Sequence, residues 1–210
     1  MPFEIRQCTN PTCNLRIPID PDVHQGTFCP RCGASMKRIM NISDSQQEST
    51  TDIKKSIKMH VLIDNVRSIH NVGSIFRTAD GVGVNHIYLC GLTPNPDDNP
   101  TIAKTSLGAE LTVPWSYHPN ACHLAHALHE GGYTLISLER SPGAVPLVQF
   151  DLANLVDRPF VLIIGNERAG VDPEILEECD HVVSLPMCGQ KASLNVSVAF
   201  GVAAYWLSQG

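Results

Sequence analysis

Five consecutive apolar residues, Phe160-Val161-Leu162-Ile163-Ile164, leave no polar position on either face of a strand. A strand with one wetted face alternates apolar and polar residues, so this run fits only a strand covered on both sides. Shorter β-branched runs recur at Met59–Ile63, His86–Cys90, Val113–Tyr117, Tyr133–Leu138 and Val182–Leu185. Helical periodicity fills most of the intervals, at Val72–Gly81, Thr101–Leu111, Asn120–Glu130 and Pro173–Cys179. Strands of this kind separated by helices predict an α/β fold with a parallel sheet flanked by helices. A last helix is expected over Ser193–Leu207. Leu194, Val198, Val202 and Tyr205 share one side of it, and Val196, Ala199, Phe200, Ala203 and Trp206 cover much of the rest. A helix so apolar calls for burial, partly in a dimer interface.

The α/β pattern begins at residue 58. Residues 41–57 are polar, carry no aromatic side chain and read as a linker to a domain spanning 58–210. Residues 1–40 are rich in Cys and Pro and poor in apolar runs. They hold Cys8, Cys13, Cys29 and Cys32, spaced Cys-x4-Cys, fifteen residues, Cys-x2-Cys. Four soft thiolates satisfy the tetrahedral preference of Zn2+, and Gly33 after the last ligand eases the turn around the metal. So short a segment buries little core, so a structural zinc ribbon folded by its metal is expected. His24 is a spare ligand that a complete shell of four cysteines does not need. Two disulfides, which suit a secreted chain, or free cysteines in a disordered tail are the alternatives.

Nothing at the N-terminus has the apolar core of a signal peptide, and no run reaches the ~18 apolar residues of a membrane span. With 43% hydrophobic residues and a mean hydropathy of -0.03, the chain reads as a soluble cytoplasmic protein with no membrane partner. The other cysteines, Cys90, Cys122, Cys179 and Cys188, sit in apolar segments and read as buried small hydrophobes. The net charge of -6 hides an asymmetry. Residues 1–58 carry eight Lys/Arg against six Asp/Glu, which leaves the remainder at −8. Arg67, Arg77, Arg140, Arg168 and Lys191 nevertheless cluster in or beside the loops described next, so a positive mouth on an acidic body is compatible with a polyanionic partner.

Three loop motifs follow predicted strands. The first runs from Asn65 to Asp80 and contains Asn71, Gly73 and Arg77. The second is Gly165-Asn166-Glu167-Arg168-Ala169-Gly170. The third is Leu185-Pro186-Met187 followed by Ser193-Leu194-Asn195. Gly165 directly after a buried strand permits close approach of a ligand to the backbone. Ser193 can cap the last helix with Asn195 in its first turn, and Asn71 can cap a helix starting at Val72. Neither G-x-G-x-x-G after a strand nor G-x-x-x-x-G-K-[ST] is present, which removes the usual dinucleotide and triphosphate fingerprints.

In this order and spacing, Asn-x-Gly-x-x-x-Arg, Gly-Asn-Glu and Ser-Leu-Asn closely resemble the SpoU (TrmH) branch of the SPOUT RNA methyltransferases, over residues 58 to the C-terminus. The resemblance implies a C-terminal trefoil knot, a homodimer, and transfer of a methyl group from S-adenosylmethionine to a ribose 2′-hydroxyl of tRNA or rRNA. It implies a cofactor pocket of Leu138, Gly165, Glu167, Leu185, Met187, Ser193, Leu194 and Asn195, with Asn71 and Arg77 on the substrate side. The catalytic set it implies is Arg77, Asn71, Glu167, Ser193 and Asn195. Arg77 stands where the family places its proton acceptor. Because a guanidinium holds its proton, Arg77 can instead grip phosphate and stabilise the alkoxide, with Glu167 accepting the proton or orienting Arg77. The pair Arg168-Ala169 and the spacing from Gly189 to Ser193 depart from the family pattern at the mouth and bear on substrate identity.

Two alternatives stay open: a catalytically silent RNA-binding or assembly protein of the same fold, and a methyltransferase acting on a base. His118, His123, His126 and His129 show no accompanying carboxylate or cysteine pattern and read as exposed helix histidines.

Overall fold

The computed structural model describes residues 3–42, 58–155 and 158–209 of the 210-residue chain. Contacts divide it into two compact units, Met1–Lys54 and Lys55–Gly210. The first holds strands β1 (Phe3–Cys8), β2 (Arg16–Ile19) and β3 (Met36–Ile42) in a sheet ordered β2-β1-β3, antiparallel throughout. Its core is small, built on Cys8, Cys29 and Met36. Asn41 and Ile42, expected at the start of the linker, belong to β3. Residues 43–57 lie outside the described residues.

The second unit runs β4 (Met59–Asp64), α1 (Ile69–Val82), β5 (His86–Cys90), α2 (Ala103–Ser106), α3 (Ala109–Thr112), β6 (Trp115–His118), α4 (Ala121–Glu130), β7 (Thr134–Leu138), β8 (Val145–Pro146), β9 (Phe160–Ile164), α5 (Pro173–Glu178), β10 (His181–Ser184) and α6 (Val196–Leu207). Its seven strands are ordered β6-β5-β4-β9-β7-β10-β8 and every pairing is parallel. The all-apolar β9 takes the centre, flanked by β4 and β7. Leu162 and Ile164 pack with Val72, Ile75, Phe76, Phe200 and Ala203 of α1 and α6. Val161 and Ile163 pack on the other face with Ala121, Ala125, Leu128 and Ile175 of α4 and α5. The last strand, β10, inserts between β7 and β8. Among the described residues, no helix is long and apolar enough to cross a membrane.

Three local expectations are corrected. The helix expected over Thr101–Leu111 is broken by the left-handed residues Leu107 (φ 52°) and Gly108 (φ 96°). Ser68, not Asn71, caps α1, accepting the Asn71 N–H, so the Asn71 side chain is left for other work. Asn195, not Ser193, caps α6 through the Ser197 N–H. Side-chain periodicity does not fix which polar residue caps, because that depends on where the chain enters the first turn. Within a single chain, α6 is buried on one side. Phe200, Ala203, Ala204 and Leu207 are buried, whereas Val198, Val202 and Tyr205 stay exposed.

Candidate active site

In a parallel sheet, the carboxyl ends of the strands all open on one side, and the loops leaving them make a ligand crevice. Here the loops after β7, β9 and β10 enclose a cavity of about 350 Å3, within the range of small-ligand pockets. Leu138, Gly165, Glu167, Leu185, Met187, Ser193, Leu194 and Asn195 all line it. Positions up to fifty-seven apart in sequence are therefore brought to one site. Arg77 and Asn71 are not in the lining. Asn71 reaches the rim through hydrogen bonds. Arg77 sits about 9 Å further along α1, exposed and without an internal partner among the described residues.

Gly165 has a different reason from the one its sequence position suggests. A Cβ there would run into the Gly170 carbonyl group and the Val171 nitrogen, closer than real Cβ atoms ever come to backbone. The close approach is made by the protein's own backbone, which folds back as Asn166 and Gly170 exchange two hydrogen bonds of 2.9 Å. Asn166 tightens the turn, its Oδ1 accepting the Arg168 and Ala169 N–H groups while its Nδ2 donates to the Asn65 carbonyl. Gly73 is likewise structural. A Cβ on it would overlap Thr105 Oγ1, so this glycine lets α1 lie close against the following segment.

The three sequence motifs meet in one hydrogen-bonded chain. Glu167 accepts the Arg67 N–H at 3.2 Å, the Ser68 N–H at 3.1 Å and the Asn71 Nδ2–H at 3.0 Å. Asn195 Nδ2 donates to Asn71 Oδ1 at 3.0 Å, and Asn195 Oδ1 accepts both Ser197 donors. Partial burial pushes the Glu167 carboxyl up, but these donors outweigh it and hold the group below the ordinary carboxylate range. These bonds tie the carboxylate to the start of α1.

Two acids escaped the sequence reading. Glu139, directly after β7, lines the cavity and accepts the Val171 N–H at 3.0 Å and the Arg140 N–H at 2.7 Å. Its place at a strand's carboxyl end was the available signal. Asp64, at the end of β4, is 2% exposed and accepts from Asn65 Nδ2 and the Asp172 N–H. Burial pushes its carboxyl up despite those donors. Arg140, also in the lining, donates to the Ala192 carbonyl at 3.0 Å and ties the β7 loop to the third motif.

In the N-terminal unit the four sulfurs of Cys8, Cys13, Cys29 and Cys32 all lie within 4.8 Å of one another. Cys8 and Cys32 are 3.5 Å apart and Cys13 and Cys29 3.7 Å. Tetrahedral Zn–S bonds of about 2.3 Å place sulfurs about 3.8 Å apart, so the set fits zinc, while a disulfide needs about 2.05 Å. Backbone N–H groups of Asn10, Leu15 and Arg31 point at Cys8, Cys13 and Cys29, an arrangement that suits anionic sulfur. Gly33 takes the left-handed turn expected of it, with φ 73°. Of the other cysteines only Cys90 is buried. Cys122 and Cys179 are half-buried, and Cys188 is exposed at the start of a run, 188–195, in which every residue is exposed.

His123, His126 and His129 are exposed on α4, as expected, but carboxylates accompany two of them. His126 and His129 both approach Glu178 Oε1, at 2.8 and 3.4 Å, and His129 Nε2 lies 3.4 Å from Asp180. Those carboxylates come from α5 and the residues after it, distant in sequence. His118 ends β6, hydrogen-bonded to Ser116.

Residues 58–205 match the model of the SpoU rRNA Methylase family. The chain belongs to that family. Among SpoU relatives, it is 29% identical over 188 residues to the 23S rRNA (guanosine-2'-O-)-methyltransferase RlmB of Pseudomonas aeruginosa, covering 87% of this chain and 69% of that one. It is 30% identical over 174 residues to the tRNA (guanosine(18)-2'-O)-methyltransferase of Aquifex aeolicus, covering 81% and 74%. The AdoMet-bound rRNA methyltransferase of Sinorhizobium meliloti superposes with a TM-score of 0.66 at 28% identity, over 75% of this chain and 59% of that one. The chain thus spans between about three fifths and three quarters of these SpoU relatives.

Proposed function

We propose that the protein is an S-adenosylmethionine-dependent RNA 2′-O-ribose methyltransferase acting on tRNA or rRNA in the cytoplasm. The observation that carries this reading is the Glu167–Asn71–Asn195 chain, which joins the first, second and third motifs at the rim of the cavity. When bound, S-adenosylmethionine supplies an electrophilic methyl group on a sulfonium. Leu138, Leu185, Met187 and Leu194 offer an apolar wall for its adenine, and Glu139 and the loop backbone offer acceptors for its polar groups.

The protein's part in the reaction is alignment. A ribose 2′-oxygen must reach the methyl carbon opposite the sulfur, and its proton must leave. Glu167 and Asn71 fix the first turn of α1, the helix that carries Arg77. The Arg77 guanidinium, free of internal partners among the described residues, is available to hold RNA phosphate and stabilise the emerging alkoxide, the proton departing through water. Ser193, beside Asn195 in the cavity wall, is placed to contact the bound pair.

The protein is a homodimer in this reading. Val198, Val202 and Tyr205 are 47 to 53% exposed along one stripe of α6, and Leu194, just before the helix, is 41% exposed. The stripe continues into a shallow groove with Leu147, Val148 and Trp206, an apolar surface that a second copy would cover. Sedimentation of Val202→Glu as a monomer, against a wild-type dimer, would support it. The N-terminal unit is a structural zinc ribbon, its complete four-thiolate shell leaving no open position for chemistry.

Labelled methyl transfer from S-adenosylmethionine to unmodified total RNA, comparing wild type with Arg77→Ala, tests the activity. 2′-O-methyl nucleosides, formed by wild type and reduced about 100-fold or more in the variant, are expected. Methylated bases would shift the reading to a base methyltransferase. An inability to bind S-adenosylmethionine by calorimetry would make the chain a silent RNA-binding member of the family.

A further inference from the structure

Among the described residues of the N-terminal unit, one face of the three-stranded sheet has nothing packed on it. Cys8 pairs with Met36, and Arg6 pairs with Ile17 and Arg38, so these side chains share the face that packs on the cysteine cluster. Gln7 pairs with both Arg16 and Lys37, and Phe3 pairs with Ile42, so these project from the opposite face. There Phe3 is 43% exposed, Met40 52% and Ile42 42%, and Arg16 and Lys37 are exposed as well.

The cations on the two faces differ. Arg6 and Arg38 are both paired with Glu4 on the covered face. Arg16 and Lys37 have no hydrogen-bond or ion-pair partner among the described residues, and no strand position on their face is acidic. Their backbones stand about 10 Å apart, two strand spacings across the sheet. One end of the face therefore offers two unpaired positive charges, and the other an exposed aromatic ring beside aliphatic side chains.

We infer that this face binds single-stranded RNA, phosphates meeting Arg16 and Lys37 and a base stacking on Phe3 beside Met40 and Ile42. The combination of a basic end and a stackable apolar end on an open sheet is what an unpaired strand recognises. Charge complementarity favours RNA over a protein partner. Beyond residue 58 the chain carries a formal −8, so a polyanionic substrate gains most from cations outside that unit. The inference rests on the RNA methyltransferase reading and assigns the N-terminal unit a share of substrate capture.

The test is fluorescence anisotropy of the full-length protein with a labelled unmodified RNA oligonucleotide of about 12 nucleotides, measured against salt. Wild type, Arg16→Gln/Lys37→Gln and Phe3→Ala are compared, each checked for retained zinc and circular dichroism. The double variant should flatten the slope of log affinity against log salt by about 1.4, the share of two single-strand phosphates. Phe3→Ala should weaken binding about tenfold with little change of slope. Equal affinities and slopes in all three proteins would overturn the inference, as would unchanged RNA binding with altered self-association in sedimentation, which would make the face a protein interface. Methyl transfer by the same preparations separates the two readings. Transfer with unaltered RNA binding removes this face and leaves the enzyme, whereas variant-sensitive binding without any transfer keeps the face and removes the enzyme.

Discussion

Asn71 donates its side-chain amide hydrogen to the Glu167 carboxylate at 3.0 Å, joining the first turn of α1 to the loop after β9 across ninety-six positions of sequence. Because Ser68 performs the capping, both ends of the Asn71 amide are used for this and for Asn195. Truncating it breaks two hydrogen bonds, one of them to a charge. Asn71→Ala should cost about 2 kcal/mol of stability and about 10- to 100-fold in kcat/KM through misplacement of α1. Thermal unfolding and methyl-transfer kinetics check both. Unaltered kinetics would mean that the three motifs need not be tied together.

Gly165→Ala probes the fold-back of the second motif. Its methyl group would meet the Gly170–Val171 backbone, which no rotamer change relieves. Opening that turn should cost about 1–3 kcal/mol and weaken S-adenosylmethionine binding by calorimetry. Retained affinity would show that the cavity wall tolerates displacement of residues 165–171.

A half-buried imidazole cluster should make the protein acid-sensitive well above the carboxylate range. Burial, and after it the neighbouring His86, lowers His60 below 6.5, and burial with His118 does the same for His86. The folded state thus binds fewer protons than the unfolded chain. Stability falls as pH drops below 6.5 and goes on falling until the depressed values are passed. His126 opposes this. Its hydrogen bond to Glu178 raises it, so its contribution is complete below 6.5 and lost as pH rises through the raised value. The loss of Tm between about pH 7.5 and about pH 5.5 should therefore be smaller in His60→Gln than in wild type. An equal loss in the two would assign the acid sensitivity elsewhere.

Metal removal should separate the two units. The N-terminal core rests on Cys8, Cys29 and Met36, too little apolar surface to hold a sheet without the metal's binding energy. Chelation should release about one zinc per chain and speed hydrogen exchange in residues 3–42, while β4, β9 and β7 remain protected. Unchanged exchange after zinc loss would show that the sheet stands without it.

The strands and the chemistry-bearing loops were legible because both are local. Phe160–Ile164 announces a strand buried on two faces, and the Cys spacing announces a metal cluster before any fold is known. Short-range features failed where a neighbour distant in sequence decides. The helix over 101–111 breaks at Leu107, whose left-handed backbone no propensity predicts. Cys188 reads as buried from its surroundings in sequence, yet lies exposed. Glu178 and Asp180 reach the α4 histidines only because α4 and α5 cover the same face of the sheet.

The sequence by itself determined the α/β class, the two-part organisation and the cysteine cluster, and its family resemblance pointed to much of the cavity lining, though not to Glu139. The first three follow from apolar period, change of composition and ligand spacing, which are properties of neighbouring residues. Tertiary structure alone decided the contacts of the site residues. It set Gly165 against the Gly170–Val171 backbone, gave Glu167 three N–H donors, and left Arg77 unpaired among the described residues. Each of these depends on which N–H, carbonyl or Cβ comes within about 3 Å, and that is set by strand order, not by the spacing of residues along the chain.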